Sequence, residues 1–186
     1  MKFKMTVPFA VSFAFFAFID DSGLVWISAF AAAIHELGHW TAIKLFRSRV
    51  TEFRLELTGA AIFYDTDKLG YAADAVIALA GPFAGLLAAL VGAQLGYTTF
   101  AGASAILSLL NLLPASRLDG GRVLEAVVSS MTVSRTPLVF AHGIVCAALM
   151  LGGFYVFNVT GGNWTCIALA AFLLLGGFTG ERERAK

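Results

Sequence analysis

The chain alternates between long apolar runs and short polar breaks, and the runs have the length of membrane-crossing helices. They fit residues 6–19, 24–46, 72–96, 100–113, 138–157 and 164–178, judged against the ~17 to 25 residues that cross a hydrocarbon core. Between the second and third runs the period changes. Phe53, Leu55 and Leu57 alternate with Arg54 and Glu56, Thr58-Gly59 punctuates, and Ala60 to Tyr64 resumes; residues 50–65 are therefore expected to form a short β-hairpin. After the fourth run, Pro114, Gly120 and Gly121 break the helix. Arg122 to Met131 then places Val123, Leu124, Val127, Val128 and Met131 on one face and Arg122, Glu125 and Ser129 on the other, the spacing of a helix lying at an interface. The expected fold class is an all-α polytopic membrane protein of six transmembrane helices, with a short membrane-associated β-hairpin between helices two and three. A single membrane-embedded domain over residues 1–186 is expected, because the longest gap between runs, 47–71, is too short for a soluble accessory domain.

Composition strengthens this reading. The 186 residues are 59% hydrophobic and 13% charged, with mean hydropathy +0.81, too apolar for a soluble domain. The basic residues then fix an orientation. All 13 lysines and arginines precede run one, lie in the last turn of run two (Lys44) or between runs two and three or four and five, or follow run six. The opposite loops, around Asp20, Tyr97 and Asn158 to Asn163, hold none. By the positive-inside rule both termini are expected in the cytoplasm of a multi-pass cell-membrane protein. A net charge of +1 with dispersed basic residues argues against nucleic-acid binding. The first run is expected to be a retained helix, since no small-x-small cleavage pattern follows it before Asp20. Cys146 and Cys166 lack C-x-x-C spacing and read as buried thiols.

One apolar run carries ionisable groups at its centre. His35-Glu36-Leu37-Gly38-His39 lies inside residues 24–46, where a charged side chain costs roughly 2.5 to 3.5 kcal/mol on insertion scales. The pattern is also the helical zinc motif H-E-x-x-H. On a helix the two histidines stand about 6 Å apart on one face, within reach of one Zn2+ ion, which in catalytic sites takes three protein ligands and leaves a position for water. Glu36 is about 100° around the helix from His35, which suits a general base better than a ligand. Hydrogen bonding between helices is the bland alternative for a single histidine; three costly groups at ligand spacing disfavour it.

A third ligand is needed, and topology narrows the search. Runs two and four both descend toward the cytoplasmic side, and Asp119 stands near the end of the fourth in Asn111-Leu112-Leu113-Pro114-Ala115-Ser116-Arg117-Leu118-Asp119-Gly120-Gly121. A carboxylate completes a His-His-Asp set. The other acids fit less well, belonging to the hairpin region or to the interfacial helix. A solvated turn residue is the ordinary role of an aspartate at a helix end.

These residues together resemble the site-2 protease family of intramembrane zinc metalloproteases, and within it the short sporulation-factor-type members. The similarity covers nearly the whole chain: the pentad at 35–39, Ala80-Gly81-Pro82-Phe83-Ala84-Gly85 in the third run, and Asn111 through Gly121. It implies His35, His39 and Asp119 as zinc ligands, Glu36 as the base that activates water, and Asn111 as a residue that holds the substrate backbone or the oxyanion. The chain departs from many members at Arg117, where they carry proline two residues before the aspartate. Gly81-Pro82 reads as a break that lets helices pack closely, and His142, alone in the fifth run, as a packing residue.

The function expected from residues and resemblance is a zinc endopeptidase that cuts a transmembrane or membrane-proximal peptide near the cytoplasmic face, releasing a signalling fragment. The hairpin edge is a candidate surface for holding that peptide extended. Expected partners are a membrane-protein substrate, the lipid bilayer and a regulatory membrane protein. The competing class is a metal transporter or metal sensor using the same ligands; transport sites tend to sit near the midplane and to show repeat symmetry, and neither is visible here.

Overall fold

A computed structural model describes residues 2–56, 59–66, 69–131, 134, 136–160, 167 and 171. The order is β1 (Lys2–Met5), α1 (Val7–Ile19), α2 (Leu24–Leu45), β2 (Val50–Glu56), β3 (Gly59–Tyr64), α3 (Tyr71–Gln94), α4 (Thr98–Asn111), α5 (Asp119–Met131) and α6 (Thr136–Thr160). Five helices coincide with expected spans and α5 with the expected interfacial helix. All but two residues of the sixth expected span, 164–178, lie outside the described residues. Among the described residues two stretches, Tyr71–Gln94 and Thr136–Val159, are long and apolar enough to cross a membrane, and α1 and α4 are shorter apolar helices. Large apolar side chains such as Phe18, Phe83 and Leu151 are exposed, as expected for surfaces that meet lipid rather than water. The chain packs as two compact units, Met1–Leu110 and Asn111–Lys186.

In the first unit α2 packs along α3. The buried face of α2 is Ala31, His35, His39, Ala42 and Ile43, residues three to four apart. Its counterpart on α3 is Ile77, Ala78, Gly81, Pro82, Gly85, Ala89 and Gly92, mostly small residues that let backbones approach. Gly81-Pro82 does not break the helix. Pro82 lies within a continuous α3 and is fully buried; neighbouring helices hold the chain helical although Pro82 has no N–H to give Ala78. The close packing expected at this dipeptide is present.

Helix α3 ends in a Schellman cap: Gly96 has φ +82°, Gly96 N–H donates to Ala93 O at 3.2 Å and Tyr97 N–H to Gly92 O at 2.8 Å. The chain turns into α4, whose buried residues are Ala101, Ser104 and Ser108. A Cβ on Gly85 would strike the Ser108 hydroxyl, and one on Gly92 would press on Phe100. At the other end of α2 the Asp20 carboxylate accepts from Ser22 N–H at 3.1 Å and Val25 N–H at 2.7 Å. The Ser22 hydroxyl also donates to it at 2.5 Å, and that hydrogen bond first, then the one from Val25 N–H, holds its pKa below the usual carboxylate value.

The hairpin forms with the expected bounds, β2 and β3 pairing antiparallel with Phe53 opposite Ile62. It has a third strand that sequence reasoning missed: β1 pairs parallel with β2, Lys4 opposite Arg54. Thr6 extends this contact, its N–H donating to Leu55 O at 2.9 Å. One sheet face carries Phe3 stacked on Phe53; the other carries Lys4, Glu52, Arg54 and Glu56 in an ion-pair ladder. Ile43 and Ile77, both fully buried, pack with Ala42 and Val50 against Ile62 and Tyr64, which fixes β3 beside α2 and α3.

In the second unit the segment between α4 and α5 packs on α6. Ala115, Val145 and Cys146 form a buried cluster flanked by Leu113, Leu118 and Leu149. The start of α5 presses against the same segment. A Cβ on Gly120 would overlap the Leu112 and Leu113 carbonyls, and one on Gly121 the Ala115 carbonyl, so only glycine fits both places.

Candidate metal centre

His35 and His39 are brought together by α2 itself. The four-residue spacing places both rings on the buried face of the helix, 3% and 5% exposed, with centroids 4.9 Å apart. Their Nε2 atoms are 3.2 Å apart. Two nitrogen ligands on a tetrahedral zinc at bond lengths of about 2.0 to 2.1 Å stand about 3.3 Å from each other. The pair thus fits the edge of a zinc coordination shell.

The orientation of His39 is set from α3. Its Nδ1 lies 2.8 Å from Ile77 O; a carbonyl only accepts, so Nδ1 carries the proton and Nε2 presents its lone pair. Pro82, one turn on in α3, withholds the hydrogen bond Ala78 O would receive, and the neighbouring Ile77 carbonyl is the one that takes the side-chain donor. Gly81 completes the seat, because a Cβ there would overlap three atoms of the His39 ring. Gly38, between the two histidines, lies against the Ala80 backbone and Ala84. The alternation His-x-x-Gly-His on α2 thus meets Gly-x-x-x-Gly on α3: small residues admit the partner helix, and the His39 ring fills the notch at Gly81.

Gly85, one turn after Gly81, faces the Ser108 hydroxyl and lies 3.7 Å, measured from an ideal Cβ, from His35 Nδ1. Ser108 donates to Ser104 O at 2.8 Å. Glu36 is half-buried at the flank of the histidine face, more exposed than either histidine.

Asp119 and Asn111 belong to the second unit. Asp119 is the first residue of α5, 8% exposed, with an Arg122 guanidinium nitrogen 3.9 Å from Oδ1. An acidic group at a helix N-terminus is favoured by the helix dipole, and the two following glycines let this terminus fold tightly onto residues 112–115. Sequence reading placed Asp119 near the cytoplasmic end of the fourth span, in the break before the interfacial helix; it is the residue that opens α5. Asn111 is the last residue of α4 and half-buried. Arg117 is exposed. His35, His39 and Asp119 are each buried and each offer a metal-ligating atom.

The signals that sequence reasoning passed over are Ile77 and Gly81, which act through a backbone carbonyl and a missing Cβ. Their only trace in sequence is the Gly-Pro pair that sets the helix face.

The sequence matches no protein-family model and no curated protein. In fold it is similar to the solved structure of the Site-2 Protease from Methanocaldococcus jannaschii, with a TM-score of 0.69 and 20% sequence identity over 98% of this chain and 91% of that one. At this identity the likeness is one of fold, and it extends along both chains almost end to end.

Proposed function

We propose that this chain, built on the fold of a site-2 protease, is an intramembrane zinc metalloprotease. The observation that carries the reading is the His35–His39 pair: two buried imidazoles with Nε2 atoms 3.2 Å apart on an apolar helix, with a carboxylate beside them. In this reading His35, His39 and Asp119 hold one Zn2+ ion. Bound zinc acts as a Lewis acid that makes water nucleophilic near neutral pH and polarises a carbonyl. Glu36 takes the proton from the attacking water and returns it to the leaving amine. Ile77 and Gly81 keep His39 aimed, and Asn111 holds the substrate backbone.

The substrate in this reading is a transmembrane or membrane-proximal segment of another membrane protein, cut near the cytoplasmic face of the cell membrane. A helical peptide shields its carbonyls in its own hydrogen bonds, so it must be unwound before attack. The sheet beside α2 supports a mode for this, since an extended segment pairs with an exposed strand edge. The basic-residue census supports six spans with both termini in the cytoplasm, and the regulatory partner in this reading is another membrane protein.

Purified Glu36→Gln tests the reading. It is expected to retain zinc while cleavage of a membrane substrate falls by at least about a hundredfold. Cleavage that survives the substitution sinks the assignment of Glu36; zinc uptake into vesicles by a wild type that cuts nothing favours the transport class instead.

A further inference from the structure

We propose that His142 is a positioning residue for the segment that presents Asp119, an inference that rests on reading Asp119 as a zinc ligand. Ser116 N–H donates to His142 Nδ1 at 3.3 Å. A backbone amide only donates, so Nδ1 carries no proton and the ring proton sits on Nε2. That nitrogen lies 3.7 Å from Cys146 Sγ, one turn along α6, and the sulfur accepts. Both ring nitrogens are therefore engaged, and a single neutral tautomer joins the side of α6 to the backbone three residues before Asp119.

The surroundings make this junction stiff. Ala115 is fully buried against Val145 and Cys146. Leu118 N–H donates to Ala115 O at 2.9 Å and Arg122 N–H to Leu118 O at 3.1 Å, so Ser116 lies inside a tight turn that runs directly into α5, whose first residue is Asp119. The absence of a Cβ at Gly121 lets the Ala115 carbonyl rest on that helix. With so little slack, a displacement of Ser116 moves Asp119. Packing, the role sequence reading gave His142, asks only for ring volume; positioning asks for an acceptor at Nδ1.

The two roles separate by substitution in the full chain in detergent, with zinc affinity measured by chelator competition. His142→Phe keeps the ring volume without an acceptor, and His142→Asn keeps an acceptor near the Nδ1 position. His142→Phe is expected to bind zinc about tenfold more weakly, the low end for groups that orient ligands, and His142→Asn to stay within about twofold of wild type. Wild-type affinity in His142→Phe, or equal losses in both variants, overturns the inference. Asp119→Asn run alongside tells the two readings apart. Wild-type affinity there overturns the ligand reading and this inference with it, whereas its loss beside an unaffected His142→Phe overturns this inference alone. Nitrogen-15 shifts of His142 in the unsubstituted chain give an independent check that needs no variant to fold: they are expected to show a bare Nδ1 and a protonated Nε2, and the opposite tautomer overturns the proposal.

Discussion

The imidazole of His39 occupies the space a side chain on Gly81 would fill. His39 Nε2 is the nearest atom to that position, so any added carbon displaces that nitrogen first. Gly81→Ala is therefore expected to turn the ring off Ile77 O and to weaken zinc binding about 10- to 100-fold, as loss of an orienting group does elsewhere. Cleavage should fall with it. Gly143→Ala on α6, where a Cβ meets nothing within 4 Å, serves as the control and should bind zinc like wild type. Zinc titration of the two variants decides the matter; equal affinities would mean that α3 does not seat the histidine.

Gly120 and Gly121 give a prediction whose sign depends on packing. In an exposed helix Gly→Ala stabilises by about 1 kcal/mol. Here the added Cβ would enter the Leu112 carbonyl at 120 and the Ala115 carbonyl at 121, and backbone cannot rotate away as a side chain can. Overpacking of this kind costs about 1 to 3 kcal/mol, so both variants should unfold at lower temperature than wild type. Gly102→Ala, on α4 with nothing within 4 Å, should not. Thermal melts followed by circular dichroism measure the difference.

What the sequence disclosed follows from the range of the interactions involved. The facing histidines were legible because i, i+4 spacing alone puts His35 and His39 on one face. The hairpin was legible because its two strands are adjacent in sequence and alternate, with Thr58-Gly59 as the punctuation. Strand β1 was not, although Lys2-Phe3-Lys4-Met5 also alternates: its partner lies some fifty residues away, and its parallel pairing has no local turn to announce it. Pro82 suggested a break because proline's cost within a helix is local, while the packing that keeps α3 continuous is tertiary. Asp119-Gly120-Gly121 resembled a turn for the same reason, since two glycines before a helix signal flexibility until the carbonyls of residues 112–115 are seen to need the room.

The ladder that ties β1 to β2 makes the last prediction, and its sign can be worked through. Glu52 is paired with Lys4 at 2.9 Å and with Arg54 at 2.6 Å; the Lys4 hydrogen bond first, and then that of Arg54, holds its carboxyl below the ordinary value of 4.5. A carboxylate whose pKa is lower folded than unfolded contributes stability that is complete above the unfolded value. That contribution is lost as pH falls from about there through the folded value. The pairing of β1 with β2 should accordingly persist at neutral pH and loosen in acid, seen as faster amide exchange along residues 2–5. Replacing Lys4 by Met removes the largest cause, so the Glu52 carboxyl followed by carbon-13 NMR should titrate at higher pH than in wild type, while Arg54 keeps it below the unperturbed value. An unchanged midpoint in Lys4→Met would show that the salt bridge from β1 does not hold Glu52, leaving the backbone pairing and the Phe3–Phe53 stack to anchor the strand.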